Sequence, residues 1–285
     1  MSEGQLLPEQ TFYSRSLGSK RTIRIYLPPA YNRKPRKRFP VLYLQDGQNM
    51  FSSAGPDACF GWGSWQIDRA MERLAETKSA LEIIMVAVDN SRYRYQEYRG
   101  PTASSQPTRF HDYANFLANE LKPQIDREFR TLPKPANTGV LGSSLGGICS
   151  LAVAWDNPKT FGLAASLSGA FQVEKRCFLK RVLGGWKGRR KPLRLYLDSG
   201  VTDFDGDDDG FRDTAQVVEQ LRRIGWKENV NLKYFVDPRP YTQDELAAAG
   251  VPEYKWSDAE ESQHNEFYWG QRVWRALAFL FPADK

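Results

Sequence analysis

Residues 138–147, TGVLGSSLGG, constrain this chain more than any other stretch. A short apolar run stops at a Gly-Ser-Ser-Leu-Gly-Gly cluster and passes at once into the helical sequence ICSLAVAW. A strand that turns into a helix within so few residues leaves no space for side chains beside the turn, so small residues must flank its tip. Gly142, Ser144 and Gly146 supply the pattern GxSxG and leave the serine thrust out at the head of the helix. In that position the backbone N–H of Leu145 and the positive end of the helix dipole face any negative charge that develops on a group attacked by Ser144. A bare GxSxG occurs by chance in many chains. Here the strand before it and the helix after it single it out as a nucleophile turn.

The rest of the chain supplies the sheet such a turn needs. TFYSRSL and RTIRIYL alternate in strand fashion, with Ile23, Ile25 and Leu27 on one face, and read as an antiparallel lead-in pair. FPVLYL, LEIIMVAV, the run before the turn, LAASL, PLRLYL and NLKYFV are continuous apolar segments of the kind buried on both faces of a parallel sheet. Between them lie amphipathic stripes: Ile67, Ala70, Met71 and Leu74; then Phe110, Tyr113, Ala114, Leu117 and Leu121, with Pro123 expected to end or kink that helix. Val217, Leu221 and Ile224 form another, and Trp274, Leu277, Ala278 and Phe281 a last one. Eight strands alternating with helices predict an α/β fold, a mostly parallel eight-stranded sheet with helices on both faces, in a single domain over 1–285. Ligands in such sheets bind beyond the carboxyl ends of the strands, which brings the loops starting at Asp46, Asp89, Ser143, Ser168, Asp198 and Asp237 to one site. The basic stretch 173–191 reads as a small cap or lid insertion, and 239–263 as a long polar connection.

Composition narrows the function classes. Hydrophobic residues make up 41% and charged residues 26% of the 285 residues, and no apolar run approaches the ~18 residues of a membrane span. The start, MSEGQLLPEQ, has neither the basic region nor the apolar core of a secretion signal. Cys59, Cys149 and Cys177 are odd in number and lack metal-ligand spacing, which predicts reduced thiols in a cytoplasmic protein. The net charge of +6 invites a nucleic-acid partner, but the basic residues sit in two runs, 33–38 and 175–191, that belong to no nucleic-acid motif and read as solvated loops.

A serine hydroxyl needs a general base, usually a histidine oriented by a carboxylate. Only His111 and His264 are present, and in the chain order nucleophile, acid, histidine that accompanies this turn, only His264 follows Ser144. The acid is expected after the strand LRLYL, where Asp198, Asp203, Asp205, Asp207, Asp208 and Asp209 crowd together. Asp203, beyond a glycine turn, is favoured over Asp198 and Asp205. Asp205, Asp207, Asp209 and Gly210 also match the start of a calcium loop, but Gln216 stands where a bidentate Glu is required, so an acidic turn without metal is expected. The second oxyanion donor is expected from DGQNMF, with Gln48 preferred over its neighbour Asn49. Tyr93, Tyr95, Tyr98 and Arg94 form a loop that can touch substrate or simply pack on itself.

Taken together, RIYLPPAY, FPVLYLQDGQNMF, GSSLGG, LYLDSGVTD and HNEFYWGQRVWRALAFLF span nearly the whole chain and resemble the esterase D and enterochelin esterase-like branch of the α/β-hydrolase superfamily. That resemblance implies an α/β-hydrolase fold and places the nucleophile on Ser144, the acid on Asp203, the base on His264 and the oxyanion donors on the N–H groups of Leu145 and Gln48. The run of aspartates after Asp203 departs from the family pattern. The implied activity is that of a serine ester hydrolase working through an acyl-enzyme on a small-molecule ester without cofactor or metal. An acyltransferase on the same fold, and a non-catalytic ligand-binding protein, are the alternatives.

Overall fold

The computed structural model describes residues 3–101 and 108–283. Nine strands form one sheet: β1 (Gln5–Leu6), β2 (Gln10–Ser14), β3 (Ser19–Leu27), β4 (Val41–Leu44), β5 (Ile84–Val88), β6 (Thr138–Ser143), β7 (Leu163–Leu167), β8 (Arg194–Ser199) and β9 (Leu232–Val236). Their order is β1-β3-β5-β4-β6-β7-β8-β9, with β2 paired to β3. Pairings of β3 with β1, β2 and β5 are antiparallel, and those from β5 through β9 are parallel. The ninth strand, against the eight expected, is β1. Two residues are too few to show a period.

The period-two logic of the strands divides the core in two. In β4, Val41 and Tyr43 face one layer and Leu42 and Leu44 the other; in β5, Ile84, Val86 and Val88 alternate with Met85 and Ala87. Five helices cover these faces: α1 (Ile67–Glu76), α2 (the continuous run of Phe110–Asn115, Phe116–Leu121 and Lys122–Glu128), α3 (Leu145–Asp156), α4 (Phe211–Ile224) and α5 (Glu266–Leu280). α2, α3 and α4 pack on one face, α1 and α5 on the other. This is the α/β-hydrolase arrangement.

Three local expectations change. Pro123 does not break α2; instead the turn before it, Phe116–Leu121, widens to π-helical pitch, which accommodates a ring that cannot donate an N–H. The buried stripe of α5 is Tyr268, Trp269, Arg272, Val273, Ala276, Leu277 and Leu280, so Trp274 points outward and is 46% exposed. The connection 239–263 is not plain coil: it holds helices Gln243–Ala248 and Trp256–Glu261, the first opened by a capping box between Thr242 and Glu245. The basic stretch 173–191 anchors Phe178 and Leu183 in the core beside α4. No helix among the described residues is long and apolar enough to cross a membrane.

The chain runs from β4 to β5 on one side and then returns to place β6 on β4's other side. The crevice at such a reversal, outside the carboxyl ends of the strands, is where open α/β sheets hold their ligands. Asp46 follows β4 and Ser144 follows β6, so both stand at this crevice.

Candidate active site

Ser144 occupies the sharp turn between β6 and α3 with φ 51° and ψ −123°, a conformation strained for any residue with a Cβ. The surroundings hold it there. Its N–H donates to Leu167 O at 3.0 Å, and its carbonyl accepts from Gly147 N and Ala170 N, each at 3.0 Å. The flanking glycines are required by contact: a Cβ on Gly142 would lie 2.7 Å from the Gly146 backbone, and one on Gly147 2.5 Å from Ser166 Oγ. Gly47 is a third close approach, where a Cβ would come within 2.8 Å of the β5 backbone at Ala87 and Val88. That contact presses the 46–49 loop onto the sheet beside the serine. Neither the Gln48 nor the Leu145 N–H donates to an acceptor among the described residues.

Ser144 and His264 line one open cavity of about 540 Å³ with Asp46, Gln48, Asn49, Cys59, Phe60, Trp65, Asn90, Arg94, Glu266 and Trp269. His264 sits between β9 and α5 in a loop tied down from both sides. Gln263 Oε1 accepts from Val201 N at 2.7 Å and Thr202 N at 3.2 Å, and Gln263 Nε2 donates to the carbonyls of Asp237 and Arg239. Asn265 caps α5 by accepting from Tyr268 N. His111, by contrast, is exposed on α2 near Asp156.

The carboxylate on His264 is Asp209, not Asp203. His264 Nδ1 lies 2.6 Å from Asp209 Oδ1, and the other oxygen of Asp209 accepts from Ser168 Oγ at 2.5 Å and Gly200 N at 2.6 Å. Asp203 stands one step further out. It accepts from Ser262 Oγ at 2.7 Å and from Phe204 N at 2.8 Å, and Ser262 Oγ in turn accepts from the His264 N–H. The reason is local. After β8 the chain makes a short turn at 204–206 and folds back, so the last aspartate before Gly210 (φ 71°) and α4, rather than the first past the glycine, comes under the imidazole. Asp198 is also buried, but its partners are Tyr196 OH and Arg272 rather than His264, while the Asp205 side chain lies outside the described residues.

Electrostatics follow this pairing. Burial pulls the His264 pKa down, but the hydrogen bond and charge of Asp209 outweigh it and leave the imidazole above its ordinary value. Burial alone pushes Asp209 up; the His264 contact, with Arg272 and Ser168, brings it below the usual carboxylate range. Asp198, fully buried, is raised to about 6 by desolvation despite Arg272 and Tyr196.

The 93–98 stretch, expected as a loop, forms a short helix at Arg94–Tyr98, and only Arg94 of it reaches the cavity. It grips Asp46 in bidentate fashion, Nε to Oδ1 at 2.6 Å and Nη2 to Oδ2 at 2.8 Å, while Asn90 Nδ2 donates to the same Oδ1 at 2.6 Å. Tyr98 is buried in the core, and Tyr95 turns outward to Glu174.

The sequence profile of the family described as Putative esterase matches residues 14–283. The chain belongs to that esterase family. Among curated proteins it is 23% identical over 206 residues to ferri-bacillibactin esterase BesA of Bacillus subtilis, covering 65% of this chain and 67% of that protein. It is 27% identical over 168 residues to the uncharacterized protein YbbA of the same organism, covering 56% of this chain and 61% of that one. The alignments therefore span only about three fifths of the first curated relatives. Among solved structures, a ferulic acid esterase superposes with a TM-score of 0.70 at 17% identity over 99% of both chains. The enterobactin esterase of Shigella flexneri gives 0.67 at 16% identity, covering 98% of this chain and 60% of that one.

Sequence reasoning did not single out Arg272, which this esterase-family chain buries to 1% exposure beneath the site. Its Nη2 donates to Ser168 Oγ at 2.7 Å, and its guanidinium lies 3.5 Å from Asp209 and 3.6 Å from Asp198. An arginine inside an otherwise apolar helix stripe was the available signal. Removing one partner of a buried ionic group leaves uncompensated charge and costs about 3–5 kcal/mol. Arg272→Met is thus expected to lower the melting temperature by roughly 10 °C in a domain of this size. Thermal melts of the two proteins check this, and an unchanged midpoint would show that the buried charges stabilise nothing.

Proposed function

We propose that this chain is a serine carboxylic-ester hydrolase with Ser144 as nucleophile, His264 as general base and Asp209 as the carboxylate that orients it. The observation that carries this is the 2.6 Å contact of His264 Nδ1 with Asp209, in the cavity that the strained Ser144 also lines. Asp209 keeps the proton on Nδ1, so Nε2 is free to accept the Ser144 hydrogen as Oγ attacks the ester carbon. The N–H groups of Leu145 and Gln48 are the donors for the oxyanion, with the α3 dipole behind Leu145. As the tetrahedral intermediate collapses, the imidazolium returns its proton to the departing alkoxide, leaving an acyl group on Ser144. Water then enters by the same sequence, with His264 again as base, and releases the acid. Membership of an esterase family supports this reaction class.

A fluorophosphonate tests it without knowledge of the natural ester. The reagent is expected to add to Ser144 and not to the neighbouring Ser143, as read by peptide mass. The labelling rate should rise with pH. Only neutral imidazole accepts the serine proton, and Asp209 holds the His264 pKa above the ordinary 6.5, so the half-maximal rate should fall above that value and be lost on acidification. Label on Ser143, on neither serine, or at a rate independent of pH counts against the assignment.

A further inference from the structure

The cavity beside Ser144 contains two carboxylates that ester cleavage does not require, Asp46 and Glu266. Glu266 is the first residue of α5, and its side chain accepts from Asn49 Nδ2 at 3.3 Å and from the thiol of Cys59. Both donors are neutral. Arg94 is held by both oxygens of Asp46 while also lying within electrostatic reach of Glu266, and His264 faces Asp209. Among the described residues no Lys or Arg forms an ion pair with Glu266. Burial shifts its pKa upward, while the N-terminus of α5 favours its charged form. The result is a net negative wall facing the space where an ester must lie.

The opposite chemistry of the lining is aromatic. Trp65 and Trp269 line the floor but are only 2% and 5% exposed and pack on each other with ring centroids 5.7 Å apart, so the open ring is that of Phe60 at the rim, 96% exposed. An exposed phenylalanine on a backbone at φ 60° has no packing reason to be there. Aromatic faces attract alkylammonium groups through the ring quadrupole, and a nearby unpaired carboxylate adds direct charge attraction in a partly dry site. The same wall repels a carboxylate.

Resting on the serine-esterase reading of this cavity, we propose that it selects esters bearing an alkylammonium group and disfavours those bearing a carboxylate, with Glu266 as the residue that sets the preference. A hydroxyl-bearing ester would find Gln nearly as good an acceptor as Glu, so dependence on charge is what distinguishes this preference from simple hydrogen bonding.

The test compares kcat/KM for butyrylcholine with that for its uncharged isostere 3,3-dimethylbutyl butyrate, in the wild type and in Glu266→Gln, by titration of released acid. The wild type is expected to favour the cationic ester by about tenfold, equivalent to about 1.4 kcal/mol, and the variant to show a ratio near one. Using the ratio within each protein cancels any general change in turnover. Were Glu266 acting only through His264, both esters would change together and the ratio would stay, which overturns the proposal. As a readout independent of turnover, tetramethylammonium should slow fluorophosphonate labelling of Ser144 in the wild type and much less in Glu266→Gln. Labelling of Ser144 with no such protection and an unchanged ratio overturns the charge preference alone. Absence of labelling removes the serine-esterase reading, and the preference falls with it.

Discussion

Ser144→Ala is expected to lower kcat/KM for any cleaved ester by at least ~10⁴-fold and to abolish fluorophosphonate labelling, with the melting temperature nearly unchanged. The size follows from what is removed. Loss of a triad nucleophile in a well-studied serine protease costs about 10⁶ in kcat, leaving only the catalysis supplied by the oxyanion donors and binding. Stability should hold because the turn's strain lies in its backbone, φ 51° and ψ −123°, which alanine and serine bear equally, and because the anchoring bonds to Leu167, Gly147 and Ala170 are all main-chain. Steady-state kinetics with a simple aryl ester, beside a thermal melt, make the measurement. A variant that keeps a tenth of the activity would end the nucleophile assignment.

Asp209→Asn should be nearly as severe. An amide in place of the carboxylate cannot both accept from the imidazole Nδ1–H and stabilise the imidazolium, and a comparable exchange in a protease triad lowers kcat about 10⁴-fold. The acid limb of the pH profile should also move down, because the hydrogen bond and charge that raise the His264 pKa are gone while the burial that lowers it stays. Asp203→Asn is the informative partner. It weakens the acceptor for Ser262 Oγ, a bond of about 1 kcal/mol, so a loss of tenfold or less is expected. Equal losses at the two positions, or a larger one at Asp203, would return the acid to the place the family pattern suggests.

The difference between those two aspartates marks where sequence stops speaking. Strands β4 to β8 were legible because burial on both faces forces long apolar runs, and the half-buried edge strand β9 was legible from its apolar run. The nucleophile turn was legible because steric contact forces glycines at fixed offsets around Ser144. That His264, not His111, shares a cavity with Ser144 agrees with chain order, with only two histidines to choose between. Which carboxylate meets His264 depends instead on how a loop of five aspartates folds back, and nothing in local propensity distinguishes Asp203 from Asp209. One clue was present: Asp209-Gly210 directly precedes the amphipathic run of α4, so the chain must turn there. In the same way the 239–263 segment advertised a helix through Thr242 and Glu245, a Thr-x-x-Glu capping box. Trp274 was misread because 274, 277, 278 and 281 also share a helical stripe, whereas the face that is buried lies one step round and includes Ala276 and the charged Arg272.

β7 donates no reacting group, yet its end is the common reference point of the site. Leu167 O holds the N–H of Ser144, and the next residue, Ser168, spends its one donor on Asp209 and both its lone pairs on Trp269 and Arg272 of α5. Ser144, Asp209 and the helix that follows His264 are thereby all measured from two adjacent residues. Errors in their separation cannot accumulate along the chain, although Ser144 and His264 are far apart in sequence. A designer can therefore exchange the rim segment 53–63, which carries Cys59 and Phe60 of the pocket, as a fitting on a fixed chassis, whereas removing the Ser168 hydroxyl alone would detune three elements at once.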